Sequence, residues 1–196
     1  MKIKFINNVL NIFEKNIIPI TTKNVNLGNK IFGAAIINKN DFSLVVSGTN
    51  NEIKNPLFHG EISTINNFFK IQENKRPSPK NCIFISSHEP CSLCLSAITW
   101  CGFNNFYYLF SYNDTKKKYK IPHDLKILKE VFNVEKGKYN KENFYWKCES
   151  ITKLIQGLPS KESKSLLISL NKIKKNYNEL SILYQLNKKK NNIPLK

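Results

Sequence analysis

Arginine is almost missing from this chain: of its 31 lysine and arginine side chains, only Arg76 carries a guanidinium. The formal net charge is nevertheless +17, and so basic a surface attracts phosphate. Arginine is the side chain suited to bidentate phosphate and base contacts. Its scarcity, beside abundant lysine, asparagine and isoleucine, reads as compositional bias and solubility ahead of a nucleic-acid interface. Long apolar runs are missing too. The longest, residues 17–20 and 31–37, fall far short of the ~20 residues that cross a bilayer, so no membrane partner is expected. The basic opening Met1-Lys2-Ile3-Lys4 runs into Asn7, Asn8, Asn11 and Glu14 and lacks the apolar core and cleavage site of a signal; the expected location is cytoplasmic. Gly28 and Gly33 lack the Gly-Lys-Ser/Thr ending of a phosphate loop. An even, disulfide-like set of cysteines is absent as well. The five stand at 82, 91, 94, 101 and 148 with one tight pair, Cys91-Ser92-Leu93-Cys94, which points to metal binding or redox chemistry.

What is present suits one compact domain with a real core: 196 residues, 41% of them apolar. Phe5, Val9, Ile12, Phe13 and Ile17 recur at helical spacing. Residues 31–37 and 42–47 are short β-branched runs joined by the turn Asn38-Lys39-Asn40-Asp41. Helices are predicted over 60–71, 91–100 and 123–132, and strands over 82–85 and 105–110, with a turn at Arg76-Pro77-Ser78-Pro79. Strands alternating with helices indicate a three-layer α/β domain with a partly parallel sheet. We place that domain at residues 1–135. A C-terminal extension, 136–196, is expected to be mostly helical. There Leu166, Leu170, Ile173, Tyr177, Leu180 and Tyr184 repeat at spacings of four and three, which suits a helix packed on the domain or a self-association seam. The lysine-rich tail from Lys188 is expected to be disordered.

Two short clusters carry chemistry: His59-Gly60-Glu61 and Glu89-Pro90-Cys91-Ser92-Leu93-Cys94. Each opens a predicted helix. One imidazole and two thiolates are three good zinc ligands, and three protein ligands leave a fourth position for water. Helix N-termini favour anions and so help keep both thiols deprotonated. Glu61, two residues beyond His59, reaches the space beside the metal, where a carboxylate can move a proton from water to a leaving amine. Cys-x-x-Cys after a strand is also a thiol redox arrangement, and Cys82, Cys101 or His123 could complete a structural zinc site. The neighbouring His-x-Glu argues for catalytic zinc. Glu89 is read as a partner that fixes the cysteine loop.

H-x-E followed by P-C-x-x-C is the signature of zinc nucleobase deaminases, and residues 1–135 resemble the cytidine deaminase-like superfamily. Within it they are similar to the branch holding guanine deaminase, bacterial tRNA adenosine deaminase and yeast-type cytosine deaminase. The resemblance implies an α/β/α sandwich with a five-stranded mixed sheet in the order two-one-three-four-five. It implies Zn²⁺ on His59, Cys91 and Cys94, Glu61 as proton shuttle, and Asn50 or Asn51 as a substrate-binding asparagine. It also implies a homodimer. The helix Leu95-Ser96-Ala97-Ile98-Thr99-Trp100 is similar to that of guanine deaminases, which favours a free base or nucleoside and makes Trp100 a candidate ring contact. His88, where relatives are usually apolar, is a further candidate substrate contact. Gly60 stands in place of the family's usual alanine, an exchange expected to be tolerated, and Gly102 in place of a common arginine. The expected activity is hydrolytic deamination of a nucleobase or nucleoside. Alternatives are deamination of adenosine in tRNA, a thiol redox protein, and an inactive binding fold.

Overall fold

The computed structural model describes residues 2–196. The N-terminal periodicity becomes α1 (Lys2–Ile12), a π-helical turn (Phe13–Ile17) and α2 (Ile18–Asn26), run end to end. Pro19 lies in the first turn of α2. A proline cannot donate to the carbonyl four residues back and crowds it, which accounts for the widened turn just before it. Next comes the hairpin of β1 (Gly33–Asn38) and β2 (Leu44–Thr49). It is followed by α3 (Gly60–Phe69), β3 (Cys82–His88), α4 (Ser92–Trp100) and β4 (Asn105–Phe110). The polar run after β4 is a short helix, α5 (Tyr112–Lys117), because Ser111 and Asp114 form a capping box. Then come α6 (His123–Phe132), β5 (Lys147–Ser150), α7 (Ile151–Gln156) and α8 (Ser160–Asn187).

The strands form one mixed sheet in the order β2-β1-β3-β4-β5, as the resemblance implied. β1 runs antiparallel to β2 and β3, whereas β3, β4 and β5 are parallel. Every residue of β3 is buried, as a central strand covered on both faces must be. One face of the sheet (Ala35, Ile37, Ile83, Ile85, Leu109) packs on α1, α2, α7 and α8. The other (Ala34, Ile36, Phe84, Phe106, Tyr108) packs on Ile65 and Phe68 of α3 and Ile98 of α4. The result is the expected three-layer sandwich. No helix of the described residues is long and apolar enough to cross a membrane.

Two expectations about the C-terminal part are corrected. A boundary at 135 would cut the sheet, since β5 pairs in parallel with β4 from Asn105↔Lys147 to Tyr108↔Ser150. With four residues, two of them charged, β5 is too short to show a period. The seam of α8 is spent inside the chain: Leu166, Leu170, Ile173, Tyr177, Leu180 and Tyr184 are all at most 5% exposed and share the core of α1 and α2. The tail is ordered against the domain. Asn191 Nδ2 donates to the Gly28 carbonyl at 2.7 Å, and Ile193 is 3% exposed. An apolar Ile-Pro-Leu after the lysines has surface to bury, and that outweighs the charge run.

Candidate metal centre

His59 and Cys91 are the extended residues immediately before α3 and α4, and neither side chain is used as a helix cap. Both are therefore free to turn into the space where the two helix starts meet. Close backbone packing sets that meeting. A Cβ on Gly60 would stand 2.8 Å from Gly33 Cα and 2.9 Å from Gly33 N, so the first turn of α3 rests directly on the start of β1. An alanine here would press on that backbone and force it to shift.

His59 Nδ1 lies 3.4 Å from Cys91 Sγ and 3.7 Å from Cys94 Sγ, and the two sulfurs are 3.6 Å apart. Tetrahedral ligands held ~2.0–2.3 Å from zinc stand roughly 3.5–3.8 Å from one another. The donor set and its spacing therefore fit zinc, with a fourth position left over. Glu61, 4% exposed, faces the same space: Oε2 accepts from Cys94 Sγ at 3.3 Å, and Oε1 is 2.7 Å from Ser86 Oγ. Ser86 has one proton for Glu61 and for the His88 carbonyl, 2.6 Å away. When it serves the carbonyl, Glu61 must itself be the donor.

Electrostatics are those of a crowded anionic site. Burial, then the Cys91 charge, pushes the Glu61 carboxyl above the usual carboxylate range. The Cys94 hydrogen bond and then the His59 ring hold Cys91 well below an ordinary thiol, against burial. Burial disfavours a charged His59, yet Cys91, Glu61 and Glu52 outweigh it and raise the imidazole to about 9 in the metal-free chain. Cys91 and Cys94 are 8% and 0% exposed, unlike the accessible attacking thiol of a redox pair.

Glu89 fixes the cysteine loop as expected. Its Oε1 accepts from Lys141 Nζ at 2.6 Å and Tyr139 OH at 3.1 Å, and its Oε2 from the Tyr112 amide at 3.1 Å. The other sequence candidates divide. Asn50 stands behind the site with its amide spent: Oδ1 accepts from the Gly60 N–H at 2.5 Å and Nδ2 donates to Glu52 Oε2 at 2.7 Å. Asn51 lines a different groove, with Phe58 and Asn66. Trp100 is 89% exposed at the far end of α4, roughly 13 Å of helix from Cys91. His88 is buried edge-on among Phe32, Tyr119 and Tyr177, and burial pushes its imidazole down to about 3.

Sequence reasoning missed the rest of the wall. A cavity of about 250 Å³ opens over His59 and Cys91, with Phe32, Leu57, Ile121 and Ile127 as apolar lining and Lys30, Glu52, His123 and Asp124 as polar lining. Ile193, Pro194 and Leu195 of the tail complete its lining. Asp124 also borders a hollow of about 10 Å³ beside His59, Glu61 and Cys91, the size of one water. Burial, then the Cys91 charge, raises the Asp124 carboxyl to about 8. Its only sequence signal is an acid in the first turn of α6, a position that usually serves the helix dipole.

Residues 13–110 match the model of the cytidine and deoxycytidylate deaminase zinc-binding region. Guanine deaminase of Bacillus subtilis (strain 168) is 30% identical over 105 residues, which span 52% of this chain and 65% of that protein. A solved guanine deaminase from Bacillus subtilis aligns with a TM-score of 0.49 and 24% identity, over 65% of this chain and 81% of its own. One from Nitrosomonas europaea aligns at 0.49 and 16%, over 83% and 81%. A family match across half the chain, on a segment that contains His59, Glu61, Cys91 and Cys94 in the arrangement above, makes this protein a member of the cytidine and deoxycytidylate deaminase zinc-binding family.

Proposed function

We propose that this protein is a hydrolytic deaminase of a nucleobase or nucleoside, with a guanine- or cytosine-type free base as its preferred substrate. The observation that carries the reading is the convergence of His59, Cys91 and Cys94 with the Glu61 carboxyl, beside a small, largely apolar cavity that His59 and Cys91 line. Zinc, when bound by those three side chains, supplies Lewis-acid activation of water at neutral pH. The chain does the rest. The apolar walls hold a planar ring and exclude bulk water. As the water oxygen bonds to the amine-bearing carbon, Glu61, whose burial keeps its proton affinity high, takes one proton from it and passes it to the adjacent ring nitrogen. It then carries the remaining hydroxyl proton to the amine nitrogen; the C–N bond breaks, ammonia leaves and a C=O beside a ring N–H remains. Asp124 offers carboxyl oxygens to ring N–H groups from the side wall.

Three features support a small substrate. The cavity, at about 250 Å³, lies just below the ~300–1,000 Å³ of drug-sized sites and suits a single ring system. Ile193, Pro194 and Leu195 take up part of its lining, space that a nucleic-acid chain would have to share. The curated relative that the chain matches is named guanine deaminase. The test is ammonia release from guanine, cytosine, adenine, their nucleosides and a tRNA by the zinc-loaded protein. Turnover of a free base is expected. Turnover of tRNA alone would replace this reading with adenosine editing, and release from none of them would leave a binding fold.

A further inference from the structure

Behind His59 stands a buried ion pair that the deamination scheme does not use to move protons. Lys30 and Glu52 are 5% and 3% exposed, with Nζ 2.6 Å from Oε1. The other carboxylate oxygen accepts from Asn50 Nδ2 at 2.7 Å, and Asn50 Oδ1 accepts from the Gly60 N–H at 2.5 Å. Taking two charges out of water is costly, and apolar side chains of similar volume are often as stable in their place. Stability therefore does not account for the pair; what it faces does. His59 turns Nδ1 to the sulfurs, and its other ring nitrogen, Nε2, lies 3.7 Å from Glu52 Oε1. A neutral imidazole that offers one nitrogen to a metal carries its proton on the other. A carboxylate facing that N–H fixes the tautomer, orients the ring and strengthens it as a ligand.

We propose that Glu52 is a positioning residue for zinc binding, acting through His59. Lys30 holds the Glu52 carboxylate in place through the 2.6 Å ion pair. Asn50 ties the carboxylate to the first amide of α3, so ring and helix start move together. The inference rests on zinc being held by His59, Cys91 and Cys94.

Zinc affinity of the metal-free protein, measured by competition with a chromophoric chelator, tests it without any substrate. Glu52→Gln keeps the volume and an oxygen for the Asn50 amide but removes the charge. It is expected to weaken zinc binding 10- to 100-fold, the range found when a ligand's outer partner is lost. Because that variant leaves Lys30 buried without its partner, Lys30→Met/Glu52→Gln removes both charges. This double variant is expected to fold normally by circular dichroism and to show the same loss. A merely structural pair would leave zinc affinity at the unsubstituted level in the folded double variant, and that result overturns the proposal. If the unsubstituted protein takes up no zinc, the zinc assignment fails first and carries this inference with it.

Discussion

The floor of the site and its side wall are built on opposite plans. The floor comes from two short stretches, residues 59–61 and 89–94, each leading into a helix. The wall comes from Lys30, Glu52, Leu57, His123, Asp124 and the tail at 193–195, six places spread over more than 160 residues. Chemistry that needs fixed distances between three ligands and a carboxylate is served by local geometry, where a helix start sets the spacing. Recognition of a ring needs only a surface of the right shape, which any segments can supply. The two regions should accordingly fail in different ways.

The largest separation comes from Glu61→Ala. Turnover is expected to fall ~10²- to 10⁴-fold, the usual worth of a positioned acid–base group, while zinc content stays near one per chain. Cys94→Ala should lose both, and elemental analysis beside ammonia release tells the two apart. Full activity in Glu61→Ala would remove the proton shuttle from the scheme.

Beneath the floor, His88 should make the fold acid-labile. Burial holds its imidazole down at about 3, well below the 6.5 of a free ring, so the unfolded chain binds the proton first as pH falls. The contribution of neutral His88 is complete above 6.5 and is lost progressively as pH falls from there towards 3. Urea melts at pH 7 and pH 4 check this. His88→Phe, which fits the aromatic surroundings, should narrow the difference between the two.

At the joint between floor and wall, Gly60→Ala places a methyl group against Gly33 and should cost about 1–3 kcal/mol, read from thermal unfolding. The smallest effect expected is that of Ile193→Ala. It removes apolar lining from the cavity, so KM for the base should rise by up to about tenfold with zinc affinity unchanged. If zinc affinity fell instead, the tail would belong to the floor and the contrast between the two regions would be wrong.

How much could be read in advance follows the same division. Apolar periods of two and near four located most strands and helices, because a residue's face is a local property. β5 escaped, with only Cys148 fully buried in four residues. Asn51 and Trp100 looked like ring contacts from their place in the order of residues. A nine-residue helix, however, carries its last side chain well away from its first, and Trp100 ends in solvent. Asp124, Lys30 and Glu52 gave no usable sign, since single charged residues are common on any surface.

By itself the sequence determined most of the element order, the three candidate metal ligands and the carboxyl two residues beyond the histidine. Each depends on spacing along one short stretch and on side-chain chemistry. Only the tertiary structure decided which carboxylates and which lysine stand at the site, that Asn50 is engaged with the backbone of α3, and that the tail lines the cavity. These depend on distances between segments far apart in the chain, which packing of the two cores sets and no local pattern encodes.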